Sequence, residues 1–230
     1  MKPILVTGAA KNLGAAIARQ LAAAGHDVVI HFRSSEKEAK QLADEIKAEI
    51  VYGDFSTLES LNAFIADYKM RFPQTKGIVN NVGNYLIAPS IKTDQGQWLD
   101  LFQTNFFAPV FITQALLPEL RTQKGTVVNI GVSGLNANRA ITKAVAYAAT
   151  KTALHFYTHS LAKELAPDIR VNMVSPGYLE NAIDALEPED LPFKRLGTPQ
   201  ELAALVAYLF DPKSSYITGQ NIEVAGAVGL

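Results

Sequence analysis

The sequence predicts one α/β domain, spanning residues 1–230, with a doubly wound, seven-stranded parallel sheet and helices on both faces. Short apolar runs alternate with segments of helical periodicity from one end of the chain to the other. The apolar runs are continuous, as in strands buried on both faces. Such alternation with right-handed crossovers gives a parallel sheet, and 230 residues suffice for one such domain.

The strands are expected at 3–7, 27–32, 50–53, 76–80, 125–130, 169–174 and 221–225. The helices are expected at 13–24, 35–47, 57–71, 95–117, 143–165 and 199–210. The only irregular stretch expected is 175–198, which is rich in proline and acidic residues. A long loop at the carboxyl edge of such a sheet is a typical substrate lid, so we expect a lid at about 178–196.

Composition excludes several classes of function. The net charge is −1 with scattered charges, so no nucleic-acid or anionic-membrane partner is expected. The chain has no cysteine, which excludes disulfides and thiolate metal sites. Met1-Lys2-Pro3 leads directly into the first strand, and no apolar run is long enough to span a bilayer. These features favour a cytoplasmic protein that acts on a small molecule.

The first strand ends at Thr7-Gly8, and a helical segment begins near Gly14. This order brings backbone N–H groups and the positive end of a helix up to a phosphate. Gly8 permits the tight turn, and Gly14 permits close packing of helix, sheet and ligand. A glycine turn alone is weakly specific, so an ordinary strand–helix turn remains the alternative.

The segment from Thr7 to Gly14, Thr-Gly-Ala-Ala-Lys-Asn-Leu-Gly, resembles the cofactor loop of the short-chain dehydrogenase/reductases. The usual form of that loop is Thr-Gly-x-x-x-Gly-Ile/Leu-Gly, and Asn12 stands where its middle glycine is usual. The loop is most similar to that of the pteridine-reductase branch, which often has another residue there. The resemblance extends to Arg195-Leu196-Gly197 and Tyr216-Ile217-Thr218-Gly219 and so covers the whole chain. It implies a Rossmann fold, a nicotinamide cofactor and a homotetramer or homodimer, whose interface the apolar ending 225–230 would suit.

The second strand ends in His31-Phe32-Arg33-Ser34-Ser35, without the acidic residue that binds the adenosine ribose in NAD-dependent folds. Arg33, Ser34 and Ser35 offer a guanidinium and two hydroxyls, which suit a 2′-phosphate. We therefore expect NADP(H) as the cofactor. In the alternative interpretation Arg33 is solvated and the serines cap the next helix.

Tyr147 and Lys151 lie four residues apart, which places phenol and ammonium on one face of a helix. A nearby cation favours the phenolate and lowers the pKa of a tyrosine, so Tyr147 could protonate a substrate while NADPH delivers hydride. The motif alone is common by chance. The motif becomes specific here because it follows the cofactor loop, Asn80-Asn81-Val82-Gly83 and Asn105 in the same order as in the family.

Asn105 lies among apolar residues of the helix expected at 95–117. A buried asparagine needs hydrogen-bond partners, and a structural amide is the simple interpretation. The resemblance implies instead that this asparagine distorts its helix and holds a water that leads to Lys151.

The family's catalytic serine has an uncertain counterpart. It stands thirteen residues before the tyrosine in the family, whereas Ser133 lies fourteen before Tyr147. When residues are counted from the end of the strand expected at 125–130, Val132 and not Ser133 falls at the position of the family's catalytic serine. Either the loop is longer and Ser133 serves, or backbone N–H groups replace it; a plain turn residue is an equal alternative.

The resemblance implies a catalytic set of Tyr147, Lys151, Asn105 and Ser133. The cofactor-binding set that it implies is Gly8, Lys11, Asn12, Leu13, Gly14, Arg33, Ser34, Asp54, Phe55, Asn81, Val82, Gly83, Tyr147, Lys151, Pro176, Gly177 and Leu179. No metal is expected, because the pair His155 and His159 has the spacing of two ligands but no third.

The expected function is NADP(H)-dependent hydride transfer to a small carbonyl compound, a 3-oxoacyl thioester or similar ketone. Five carboxylates between Glu180 and Asp190 disfavour an acidic carrier protein as partner. The first alternative is a pteridine or dihydrofolate reductase, in which Glu180 or Asp184 pairs with the pterin edge. The second is a catalytically weak NADP(H)-binding regulator.

Overall fold

The structure is a computed structural model that describes residues 1–137, 140–180, 182–183 and 186–228. Its seven strands form one sheet in the order β3-β2-β1-β4-β5-β6-β7, and every neighbouring pair is parallel. The strands are β1 (Ile4–Val6), β2 (Val28–Phe32), β3 (Glu49–Tyr52), β4 (Gly77–Asn80), β5 (Thr126–Ile130), β6 (Arg170–Pro176) and β7 (Asn221–Val224). The fold class predicted from sequence is confirmed.

Eight α-helices are present among the described residues and cover both faces of the sheet. They are α1 (Asn12–Ala23), α2 (Glu36–Ile46), α3 (Leu58–Arg71), α4 (Gln95–Phe102), α5 (Ala108–Ala115), α6 (Leu117–Gln123), α7 (Val145–Leu165) and α8 (Pro199–Phe210). None of these described helices is long and apolar enough to cross a membrane.

The core consists of two apolar layers separated by the sheet. Ile4 and Val6 of β1 pack with α1, α2 and α8, whereas Leu5 packs on the opposite face with α3, α5, α6 and α7. All three side chains are fully buried. Successive residues of a strand face opposite sides, so a strand between two helical layers must be apolar throughout.

The single helix expected over 95–117 is wrong in detail. A π-helical turn, Gln103–Phe107, separates α4 from α5, and the additional helix α6 follows. Pro109 lies in the first turn of α5 and cannot donate a hydrogen bond to the carbonyl of Asn105 four residues earlier. The distortion expected at Asn105 is present.

The prediction that 175–198 is the only irregular stretch is also wrong. Among their described residues, the segments 81–94 and 131–144 contain only short 3₁₀ turns and an isolated bridge between Ala88 and Ala144, and β6 extends through Pro176. Both segments follow strands, so they lie at the carboxyl edge of the sheet, where ligands bind in open α/β folds. Of the residues named from sequence, Asp184, Gly229 and Leu230 lie outside the described residues.

Candidate active site and cofactor cleft

The loop between β1 and α1 has the backbone conformation that its sequence anticipates. Gly8 has φ +62° and Asn12 has φ +49°, both in the left-handed region. Asparagine is among the few residues that tolerate this region, which explains how Asn12 replaces the family's glycine. A Cβ at Gly14 would meet the Gly8 carbonyl and lie 2.8 Å from Ala9 Cα, so only glycine fits.

The residues that directly follow β1 and β4 hold this loop in place. The Asn81 amide donates to the carbonyl of Thr7 at 2.9 Å and to that of Gly8 at 3.2 Å. The Thr7 hydroxyl accepts from the backbone N–H of Asn81 and of Val82 at 2.9 and 3.1 Å. Asn80 donates to Asn129 at 2.8 Å across β4 and β5, as expected of asparagines that tie neighbouring strands.

A smaller cavity of about 210 Å³ adjoins the start of this loop. Its lining includes Lys11, Arg33, Ser34 and Ser35, and none of the described residues that line it is acidic. Ser35 is the N-cap residue of α2, but its hydroxyl makes no capping bond among the described residues. The donor set therefore fits a phosphate-bearing adenosine ribose.

Two acidic side chains lie beside these cations. Glu38 is 2.8 Å from Lys11, and Asp54 is 3.8 Å from Arg33, whose side chain is 55% exposed. Asp54 accepts the backbone N–H of Ser56 at 3.0 Å, and this bond is the main reason that the pKa of Asp54 is lowered. The Arg33 pair is long and exposed, so it holds the guanidinium only weakly.

A larger cavity of about 760 Å³ begins at the other end of the same loop. Asn12 and Leu13 line it together with Tyr147 from α7. Further walls come from the ends of β5 and β6 and from the segment beyond β6, namely Val132, Ser133, Gly134, Pro176, Gly177, Tyr178, Leu179 and Glu180. The cavity therefore connects the cofactor loop with the predicted catalytic tyrosine.

The predicted lid is closed at its base by backbone bonds. Gly197 donates to Tyr178 and accepts from the N–H of Glu180, both at 2.9 Å. Leu179 and Gly197 form an isolated parallel bridge. The two ends of the predicted lid are thus joined beside the larger cavity.

Lys151 is buried beneath Tyr147, with 4% of its surface exposed. Its Nζ donates to the carbonyl of Ile130 at 2.8 Å and lies 5.8 Å from the centre of the Tyr147 ring. Burial lowers the pKa of Lys151 to about 8. A Cβ at Gly83 would lie 3.5 Å from this Nζ, so the Gly83 backbone comes close to the ammonium.

Asn105 is fully buried and links the π-helical turn to two other segments. Its Oδ1 accepts from the N–H of Asn84 at 2.7 Å, and its Nδ2 donates to the Asn84 carbonyl at 2.9 Å. Nδ2 also donates to Thr150 at 3.1 Å, and the Thr150 hydroxyl donates to the Tyr147 carbonyl at 2.7 Å. The turn is therefore connected to the helix backbone at the predicted catalytic tyrosine.

Val132 and Ser133 both line the larger cavity. The structure therefore agrees with either residue at the position of the family's serine. The Ser133 N–H donates to the Pro176 carbonyl at 2.9 Å, and the Gly134 N–H donates to Glu223 at 3.0 Å. These bonds fix the loop to β6 and β7.

Most of the predicted site residues come together. Gly8, Lys11, Arg33, Ser34, Phe55 and Val82 line the smaller cavity, and Asn12, Leu13, Tyr147, Pro176, Gly177 and Leu179 line the larger, as does Ser133. Gly14, Asp54, Asn81 and Lys151 contact these residues without lining either cavity. Gly83 lies beside Lys151, and Asn105 bonds to Asn84 and Thr150. His155 and His159 lie on α7 and line neither cavity, and their Nε2 atoms are 2.9 Å from each other. The described residues contain no cluster of three metal ligands.

Sequence reasoning missed Tyr85, whose ring packs edge-on against Tyr147 at a centroid distance of 4.6 Å. It also missed the link through Asn84 and Thr150. Thr150 lies inside the Tyr147–Lys151 motif, and a polar residue on the buried side of that helix was the available signal. Tyr85 lies in an irregular segment that gave no such signal.

A family model described as enoyl-(acyl carrier protein) reductase matches residues 8–228. The chain belongs to the short-chain dehydrogenase/reductase family. It is thus an oxidoreductase of a family that uses a nicotinamide cofactor.

Relatives match along nearly the whole chain. The chain is 34% identical over 244 residues to 3-oxoacyl-[acyl-carrier-protein] reductase FabG of Aquifex aeolicus, covering 99% of this chain and 97% of the relative. It is 31% identical over 243 residues to the enzyme of the same name from Staphylococcus aureus, with 99% and 98% covered. Among solved structures, a blue fluorescent protein from a metagenomic library in complex with NADPH superposes with a TM-score of 0.90 at 28% identity, covering 100% of this chain and 98% of that one.

Proposed function

We propose that the protein is an NADP(H)-dependent reductase that transfers hydride to the ketone of a 3-oxoacyl thioester or a similar small carbonyl compound. The observation that carries this proposal is the position of Tyr147. It lies above buried Lys151 in the wall of a cavity that Asn12 and Leu13 of the cofactor loop also line. Proton donor and cofactor loop thus meet one substrate-sized space.

NADPH, when bound, would supply the hydride for the carbonyl carbon. The Tyr147 hydroxyl donates a proton to the carbonyl oxygen, so that the ketone becomes a secondary alcohol. Lys151, with its pKa of about 8, is mostly protonated at neutral pH, and its charge favours the phenolate that remains. Asn105 and Thr150 hold the helix backbone at Tyr147 and so keep the donor in position.

NADP(H) is favoured over NAD(H) by the lining of the smaller cavity. Arg33, Ser34 and Ser35 supply donors for a 2′-phosphate, and Arg33 makes only a long ion pair that a phosphate can replace. The solved relative in complex with NADPH supports the same choice.

The acyl group of the substrate is expected to be free or linked to coenzyme A rather than to an acidic carrier protein. The relatives from Aquifex aeolicus and Staphylococcus aureus are named as reductases of carrier-bound 3-oxoacyl groups. In this chain, however, the lid has exposed carboxylates at Glu180, Glu187, Glu189 and Asp190. Like charges slow the encounter with an acidic carrier and weaken the complex.

A pterin is the second candidate substrate, because Glu180 lines the larger cavity and a carboxylate pairs well with a 2-amino-4-oxo edge. One of the two counts places Val132, and not Ser133, where the family has its serine, so the experiment also tests the alternative of a catalytically weak NADP(H)-binding regulator. We also propose a homodimer or homotetramer, since exposed Leu99, Phe107 and Phe156 are apolar. Light scattering would measure the oligomeric state.

The test compares NADPH-dependent turnover of a simple ketone, a coenzyme A-linked 3-oxo thioester, its carrier-bound form and a dihydropterin. Tyr147→Phe should lower turnover of the best substrate at least ~10²-fold while NADPH affinity stays within about threefold. Tyr208→Phe, on α8 outside both cavities, is the control and should leave turnover unchanged. A Tyr147→Phe enzyme with normal turnover would refute the assignment of the proton donor.

The substrate panel separates the candidates. A carrier-bound substrate preferred by tenfold or more would refute our interpretation of the lid. Dihydropterin turnover that is lost in Glu180→Gln would favour the second candidate. Tight NADPH binding without turnover of any compound would favour the regulator.

A further inference from the structure

His31 makes a hydrogen bond to the first glycine of the cofactor loop. Its side chain is buried, with 2% exposed. The backbone N–H of Gly8 donates to Nδ1 at 2.9 Å, and Nε2 lies 3.1 Å from the carbonyl of Gly53. A backbone N–H only donates and a carbonyl only accepts, so both contacts together require a neutral ring with its proton on Nε2.

The surroundings of His31 fix its ring. It stacks on Phe55 at a centroid distance of 4.3 Å and an interplanar angle of 10°, and Phe64 packs edge-on at 5.2 Å. A Cβ at Gly53 would lie 2.9 Å from Nε2 and 2.6 Å from Phe64, so glycine is needed there to make room for the ring. The imidazole can therefore neither turn nor move away from Gly8 without repacking.

The ring joins three strand ends: the turn after β1, the end of β2 and the residue that follows β3. It also lines the smaller cavity beside Arg33. We propose that neutral His31 is a positioning residue that holds Gly8, and with it the cofactor loop, in the conformation that binds NADP(H). This inference rests on the proposed function for its ligand.

The charge state agrees with this role. Burial lowers the pKa of His31 to about 4; the charged groups that act on it are Arg33, which lowers the value, and Asp54, which raises it. A protonated ring would turn an N–H toward the N–H of Gly8 and break the bond. The ring is therefore neutral in the pH range where reductases work.

Two substitutions distinguish the contact made by Nδ1 from the contact made by Nε2. The amide of His31→Asn can place an oxygen near the position of Nδ1, whereas that of His31→Gln reaches toward Nε2 and Gly53. We expect calorimetric NADPH affinity within about threefold of normal for H31N and at least about tenfold weaker for H31Q, because only H31Q leaves the Gly8 N–H unpaired. The preference for NADPH over NADH should persist in both, since Arg33 is retained.

Equal affinities of the two variants would overturn the proposal. Absence of dinucleotide binding by the unmutated protein would refute the proposed function and, with it, the role of His31 in cofactor binding. Normal binding by H31Q would refute the role of His31 alone.

A measurement on the unmutated, cofactor-free protein covers the case in which the variants do not fold. Nitrogen NMR of the imidazole should show the proton on Nε2 at neutral pH, and the ring should stay neutral down to about pH 5. A proton on Nδ1, or titration above about pH 6, would exclude the Gly8 contact and overturn the proposal.

Discussion

Replacing Lys151 by methionine should stabilise the protein at neutral pH while abolishing turnover. Burial lowers the pKa of Lys151 from 10.5 to about 8. Each tenfold change in an acid constant is worth about 1.4 kcal/mol, so keeping the ammonium charged in this site costs about 3 kcal/mol. Methionine of similar length removes that cost but leaves the Ile130 carbonyl without its donor, a loss of about 1–3 kcal/mol.

The pH dependence distinguishes this mechanism from simple repacking. Between pH 8 and 10.5 the unfolded chain still holds the Lys151 proton and the folded chain has released it. The stability of the unmutated protein therefore gains about 3 kcal/mol across this window, as for any group that binds more protons when unfolded. Lys151→Met lacks this gain, so its advantage should shrink as pH rises and reverse near the upper limit.

Urea unfolding at about pH 7 and about pH 9.5 measures the difference between the two proteins. The control is Lys163→Met on the same helix, an exposed position where little change is expected at either pH. NADPH turnover, measured alongside, should be lost only in Lys151→Met. A difference in stability that is the same at both pH values would show that the charge of Lys151 has no such cost.

Three further substitutions test other parts of the site. Arg33→Ala should narrow the preference for NADPH over NADH by about 1.5–3 kcal/mol in calorimetric titration, and equal affinities before mutation would contradict the assigned phosphate site. Gly14→Ala should weaken NADPH binding at least about tenfold, because the new Cβ would force the backbone at Gly8 and Ala9 to move. Ser133→Ala should lower kcat/KM between about fivefold and a hundredfold with NADPH affinity unchanged if this hydroxyl orients the carbonyl; an unaltered rate would show that the site needs no serine.

The sequence was sufficient to predict the sheet, because each strand is a continuous apolar run between two helical layers. It also placed the cofactor loop and the tyrosine–lysine pair, since their spacing reflects local geometry of a turn and a helix. The family resemblance implied a distortion at Asn105, but the residues alone predicted one helix over 95–117, although Pro109 was a visible sign of the break. That asparagine takes its partners from Asn84 and Thr150, and such pairing appears only once the chain is folded.

The loop after β5 could not be placed from sequence for a similar reason. Its position depends on Pro176 and Glu223, which are distant in the chain. A count of residues from β5 favours Val132, and a count back from Tyr147 favours Ser133, but neither count includes those distant contacts. The bonds of His31 to Gly8 and Gly53 also join separate strand ends.

The two cavities on either side of the cofactor loop have no lining residue in common among the described residues. Substitutions that do not share contacts usually have additive effects. The residues near Arg33 and Ser34 could therefore be varied in one library and those near Val132 and Leu179 in a second. The improved variants from the two libraries could then be combined. Under the proposed function, the choice of nicotinamide cofactor and the choice of ketone would then be separately adjustable.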